Sequence, residues 1–176
     1  MRLLFPKLSQ LWPASWRPEL RRGVRLAIDV GKARVGVARC DEDAILAVPV
    51  KTLRRDRYEA DIDEAADLVE EYSAMEVIVG LPRHLNGKSS ASARDARQWA
   101  RNLALLIEPV TVRLIDERLT TVSAHRSLHE AGRSERNFRS VVDQAAAVVI
   151  LEQALDTERN TGKPAGELVR PSHTGG

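Results

Sequence analysis

The sequence predicts an α/β domain built on a mixed five-stranded sheet, three antiparallel strands followed by two parallel ones, with helices on its flanks. Three observations predict it. Apolar runs at 24–31, 35–40 and 44–50 are separated only by the polar turns Gly31-Lys32-Ala33-Arg34 and Asp41-Glu42-Asp43, so these strands are antiparallel neighbours. Two helix-then-strand units follow, 58–73 with 77–80 and 92–106 with 110–115, and such crossovers return the chain parallel to the first strand. Finally, the first run holds a single carboxylate, Asp29, among small and apolar neighbours.

In that first strand Val24, Leu26, Ile28 and Val30 fall on one side and Arg25, Ala27, Asp29 and Gly31 on the other. The first helix places Ile62, Ala65, Ala66, Leu68 and Val69 at helical spacing. Ser92-Ala93-Arg94-Asp95 has capping-box form and opens a second helix, in which Ala96, Trp99, Ala100, Leu103 and Leu106 share a face. The remainder is expected to be helical at 122–131, broken by a polar stretch at 132–139, and helical again at 141–155.

At 176 residues, 43% hydrophobic and 30% charged, the chain supports one sizeable core and is too short for two ordinary domains. A basic and aromatic arm (1–22) precedes the domain (23–158), and a flexible tail rich in Gly, Pro, Ser and Thr (159–176) follows it. Pro6, Pro13 and Pro18 interrupt any helix in the arm, which lacks the continuous apolar core of a signal peptide. The arm either stacks on a nucleic-acid strand or packs on the domain surface. No stretch approaches a membrane span, and a lone cysteine, Cys40, excludes an intramolecular disulfide, so a cytoplasmic protein without a membrane partner is expected. The net charge of +2 leaves partners to be argued from the site.

Three acids stand out. Asp29 lies in mid-strand, where an ionised carboxylate costs several kcal/mol unless it finds a partner, on the order set by burying charge. Glu117 follows the fifth strand, and Asp143 lies near the start of the last helix ahead of the alanine run 145–147, which has no bulk to hold that helix off the sheet. With strands four and five parallel to strand one, all three reach one sheet edge. Two of them have a plainer reading, since Ser140-Val141-Val142-Asp143 is a capping box and Glu117 pairs with Arg118, whereas Asp29 in mid-strand has fewer; Asp116, adjacent to Glu117, is the alternative for its ligand position. Together, three converging carboxylates call for a divalent cation with oxygen ligands, Mg²⁺ or Mn²⁺, and hence for phosphate chemistry. A two-ion arrangement would use Asp29 as the bridge, with Glu117 and Asp143 holding one ion each.

Four ordered motifs carry a resemblance. Ala27-Ile28-Asp29-Val30-Gly31 with Arg34-Val35-Gly36-Val37-Ala38, Val79-Gly80-Leu81-Pro82 with Asn86-Gly87, Asp116-Glu117-Arg118-Leu119-Thr120-Thr121, and Val142-Asp143-Gln144-Ala145-Ala146-Ala147 are similar to those of the YqgF/RuvX family of ribonuclease H-like nucleases. The resemblance spans about Gly23 to Leu155 and implies a ribonuclease H-like fold, a metal-dependent endonuclease, and catalytic acids at Asp29, Glu117 and Asp143. It also implies one of two substrates, structured RNA in 5′-end maturation of pre-16S rRNA or branched DNA in Holliday-junction resolution. Symmetric junction cleavage would call for a homodimer.

Lys32, Arg34, Arg83, His84, Lys88 and Arg118 fall near the inferred edge, and Arg133, Arg136 and Arg139 flank the stacking residue Phe138; these are the candidate nucleic-acid contacts. His125 and His129 share a helix face without a third zinc ligand. An actin-like ATPase would need a second Asp-x-Gly domain, for which the chain is too short. A non-catalytic binding scaffold stays as the minor alternative.

Overall fold

A computed structural model describes residues 20–82, 89–117 and 135–171, with 135–140 described in backbone only. Six strands form one sheet in the order β3-β2-β1-β4-β5-β6: β1 Arg25–Val30, β2 Arg34–Cys40, β3 Ala47–Arg54, β4 Glu76–Leu81, β5 Thr111–Asp116 and β6 Glu167–Leu168. The first three are antiparallel, β4 and β5 run parallel to β1, and β6 returns antiparallel on β5. Helices α1 (Ala60–Glu71) and α2 (Ala91–Leu106) cover one face, while α3 (Glu135–Thr161) covers the other. The expected mixed sheet is present with one strand more than the sequence suggested.

The two faces differ in kind. Leu26, Ile28, Val35, Val37, Val77 and Val79 point at α1 and α2, with Trp99 and Leu103 in the same cluster. On the α3 side the sheet presents Ala27, Ala38, Ile78 and Ile115, met by Ala147, Ile150, Leu151 and Ala154. Small residues bring α3 close, as the alanine run predicts.

Several boundaries are corrected. Strand three starts at Ala47 rather than 44 and runs to Arg54; Pro49 is accommodated because β3 is an edge strand and its register on β2 shifts between Val37 and Ala38. The cap of α2 is Ser90, whose Oγ accepts from Ala93 N at 3.1 Å. Asp95 instead binds Arg55 through both guanidinium nitrogens, at 2.5 and 3.0 Å. The last helix is already formed at Glu135, ahead of 141, so the supposed break is helical over 135–139 and Ser140 lies within the helix rather than at its start. Part of the supposed tail is ordered: α3 reaches Thr161, Ala165 and Val169 are buried, and β6 closes the sheet. The expected helix at 122–131 lies outside the described residues.

Two sets of polar contacts tie the elements together. Trp99 Nε1 donates to the buried Asp61 carboxylate at 2.7 Å, joining α2 to α1. At the far end of the sheet from the candidate site, Arg21 and Arg25 reach the buried Glu158 of α3, and Arg21 and Arg113 reach the buried Glu76 of β4. Burial opposes ionisation of Glu158, yet these guanidiniums hold its carboxyl below the usual range. Trp99→Phe keeps the ring and strips the donor from a buried carboxylate, so it is expected to lower stability by about 2–3 kcal/mol in urea unfolding. A change under about 0.5 kcal/mol would show that Asp61 is satisfied without it.

Candidate active site

β1 carries Asp29 on the α3 side of the sheet, opposite Gly36 of β2. The turn that follows is fixed by Gly31 N donating to Arg34 O at 2.9 Å and by Arg55 Nη1 donating to Gly31 O at 2.9 Å. Arg55, anchored by Asp95, therefore ties the turn after Asp29 to the start of α2.

Two glycines make the room. A Cβ on Gly36 would overlap the main-chain carbonyl of Asp143, so α3 rests with its backbone against β2 there. A Cβ on Gly80 would overlap Glu117 Oε1 and Ile150 Cδ1, so the Glu117 carboxylate lies over β4 in space that only glycine leaves. Parallel pairing sets Leu81 beside Asp116, delivering Glu117 to the end of β5. Asp143 sits beyond the second turn of α3, where it cannot cap the helix.

The electrostatics match that convergence. Burial, joined by the charges of Glu117 and Asp143, pushes the Asp29 carboxyl up to about 7. Burial and the charge of Asp116 likewise raise Glu117. Among the described residues the Asp29 carboxylate takes no hydrogen bond and no cation. Asp143 does have a partner, because Arg34 Nε donates to its Oδ2 at 2.9 Å. No three His, Cys, Asp or Glu side chains among the described residues close on one point as a finished metal cluster. The donor set still fits a hard divalent cation: a half-buried aspartate with no cation beside it among the described residues and a second raised carboxylate, both offering oxygen alone.

The sequence-predicted residues thus divide. The charges of Glu117 and Asp143 act on Asp29, and that of Asp116 acts on Glu117. Lys32 is exposed in the turn after β1, while Arg34, expected to meet phosphate, faces Asp143. Arg83, His84, Lys88, Arg118 and Arg133 lie outside the described residues, as do the side chains of Arg136, Phe138 and Arg139. Sequence reasoning missed Gly36 and Gly80 as shapers of the site; their positions in apolar strands beside the acid motifs were the available signal.

A strand order with antiparallel β1–β3, parallel β4–β5 and acids at the strand ends defines a ribonuclease H-like protein. Thermus thermophilus RuvC, solved in complex with a Holliday junction substrate, shares this fold with a TM-score of 0.50 over 81% of this chain and 99% of its own, at 15% identity. The chain belongs to the family described as "RuvX: Holliday junction resolvase", whose model matches residues 23–157. A Streptomyces coelicolor protein named "Putative pre-16S rRNA nuclease" is 51% identical over 152 residues, 86% of this chain and 91% of that protein. A Thermobifida fusca protein of the same name is 54% identical over 157 residues, 85% of this chain and 98% of its own length.

Proposed function

We propose that the chain is a divalent-metal-dependent endonuclease that processes the 5′ end of pre-16S rRNA in the cytoplasm. The observation that carries the reading is Asp29, a half-buried carboxylate without a countercharge among the described residues, raised by the charges of Glu117 and Asp143, in a chain whose relatives at about half identity bear that name. Asp29, Glu117 and Asp143 would hold Mg²⁺ or Mn²⁺, with two ions the arrangement that suits phosphodiester hydrolysis. Bound there, the cations would activate a water and offset charge on the departing oxygen.

The protein's own part is positioning. Gly80 leaves the Glu117 carboxylate its place over β4, Gly36 seats the α3 backbone so that Asp143 is carried to the same edge, and Arg55 holds the turn beside Asp29. Arg34 keeps Asp143 oriented, and with Lys32 it offers positive charge to a phosphate arriving at this edge. Arg83, Lys88, Arg118, Arg133, Arg136, Phe138 and Arg139 complete the proposed substrate contacts. A second reading, Holliday-junction resolution, is favoured by the family's description; symmetric cleavage of a junction would call for a homodimer.

Parallel assays on a labelled pre-16S leader and a four-way DNA junction separate the two. We expect discrete cuts in the leader with Mg²⁺ or Mn²⁺, none with chelator, and an intact junction. Symmetric junction nicks with intact leader would establish the second reading; activity on neither would favour a binding scaffold.

A further inference from the structure

Beyond the acid edge, one surface combines cations with concavity. Arg97 and Arg101 project from α2 one helical turn apart, about 6 Å along the axis, and with Arg170 they border a groove of about 460 Å³. Leu114 and Leu168 also line it, and Leu168 is 41% exposed. Arg101 and Arg170 are exposed and make no hydrogen bond or ion pair with another described residue. Arg97 is paired with Glu167 at 2.9 Å, an exposed pair of the kind worth under about 1 kcal/mol and readily exchanged for a phosphate.

The groove adjoins a second one that reaches toward the candidate active site. A neighbouring groove of about 290 Å³ is lined by Leu81, Asp116 and Gln153 and shares Leu114 and Glu167 with the first. The two grooves meet at Leu114 and Glu167 beside the short β6 edge, and the second reaches Asp116, which directly precedes Glu117. The groove offers guanidiniums for phosphates with exposed leucine beside them for the sugar or base of an unpaired strand.

We propose that the groove bordered by Arg97, Arg101 and Arg170 binds the phosphodiester backbone of a single-stranded segment of the substrate outside the cleaved bond. The assignment rests on the nuclease reading and extends it: the enzyme engages a strand well beyond its scissile phosphate, so affinity depends on strand length. Glu167 is the component that opposes indiscriminate anion binding, because its pairing with Arg97 must be displaced.

The test uses the full chain carrying Asp29→Asn, which leaves the probe uncut, with and without the added pair Arg101→Glu and Arg170→Glu. Polarisation of fluorescein-labelled single-stranded RNA of about 30 and about 8 nucleotides is read across a KCl series. We expect the added pair to weaken the long probe about 10-fold or more, to lower its log–log salt slope by about 1–2, and to leave the short probe unchanged. Unchanged affinity for the long probe, or an equal loss on both lengths, overturns the proposal. An Arg101→Gln, Arg170→Gln pair repeats the comparison should the charge reversal disturb folding, which the melting temperature reports. If the Asp29→Asn chain binds neither probe, the nuclease reading fails, a result distinct from binding that ignores the groove.

Discussion

Asp29→Asn is expected to melt about 4–8 °C above the unsubstituted protein at pH 8 in chelator, while losing cleavage by about 1,000-fold or more. The sign follows from the raised carboxyl. Unfolded, Asp29 ionises near its ordinary 3.8; folded, it holds its proton to about 7. Between those values the folded state binds more protons than the unfolded one, so stability falls as pH rises through that window and stays low above it. Three units at about 1.4 kcal/mol each set an upper bound near 4 kcal/mol, and partial solvent access brings the expected gain to about 2 kcal/mol. Asparagine carries no charge to bury, so its advantage shrinks toward pH 4. Added Mg²⁺ or Mn²⁺ should reverse the order, because only the parent gains binding free energy there. Scanning calorimetry from pH 4 to 8, with and without metal, reads all of this. Equal melting temperatures at pH 8 in chelator would mean that Asp29 already has a partner.

Gly36→Ala is expected to cost at least about 2 kcal/mol, a fall of roughly 4–8 °C in melting temperature, and to abolish cleavage with it. The new methyl meets the main chain of α3 at Asp143 and Gln144, which moves only if the helix moves. Gly80→Ala is the informative companion. There the obstacles are side-chain ends, Glu117 Oε1 and Ile150 Cδ1, which can rotate aside. It should therefore lose activity through Glu117 while giving up much less stability. If Gly36→Ala melts with the parent, α3 is not seated on β2 as described.

How much of this was legible depends on how local each cause is. Asp29 was readable because a charge in an apolar strand violates a rule that needs only its neighbours. The antiparallel and crossover pairing followed from link lengths. Asp143 was read in the wrong helical context, since the local pattern of Ser140 and Asp143 mimics a cap while the helix already runs from Glu135 through charged sequence without apolar periodicity. The strand β6 was invisible because two residues amid glycine and proline carry no period; its partner β5 defines it. Gly36 and Gly80 looked like ordinary strand residues, and their meaning comes from what lands on them. Arg34 read as a phosphate contact, and the fold instead set it against Asp143, a pairing across 109 positions of sequence.

The unlike faces of the sheet impose unlike rules on sequence drift. Against α1 and α2 the large aliphatic residues can exchange with one another as long as volume is conserved, since each is one piece of a deformable packing. Against α3 the sheet has already reached the smallest side chains at Ala27, Gly36, Ala38 and Gly80, so almost every single change there is an enlargement. The acid-bearing face can explore new sequences only by paired replacements that shrink α3 as the sheet grows, and α3 is itself alanine over 145–147. That face has little room left to vary, whichever nucleic acid it serves.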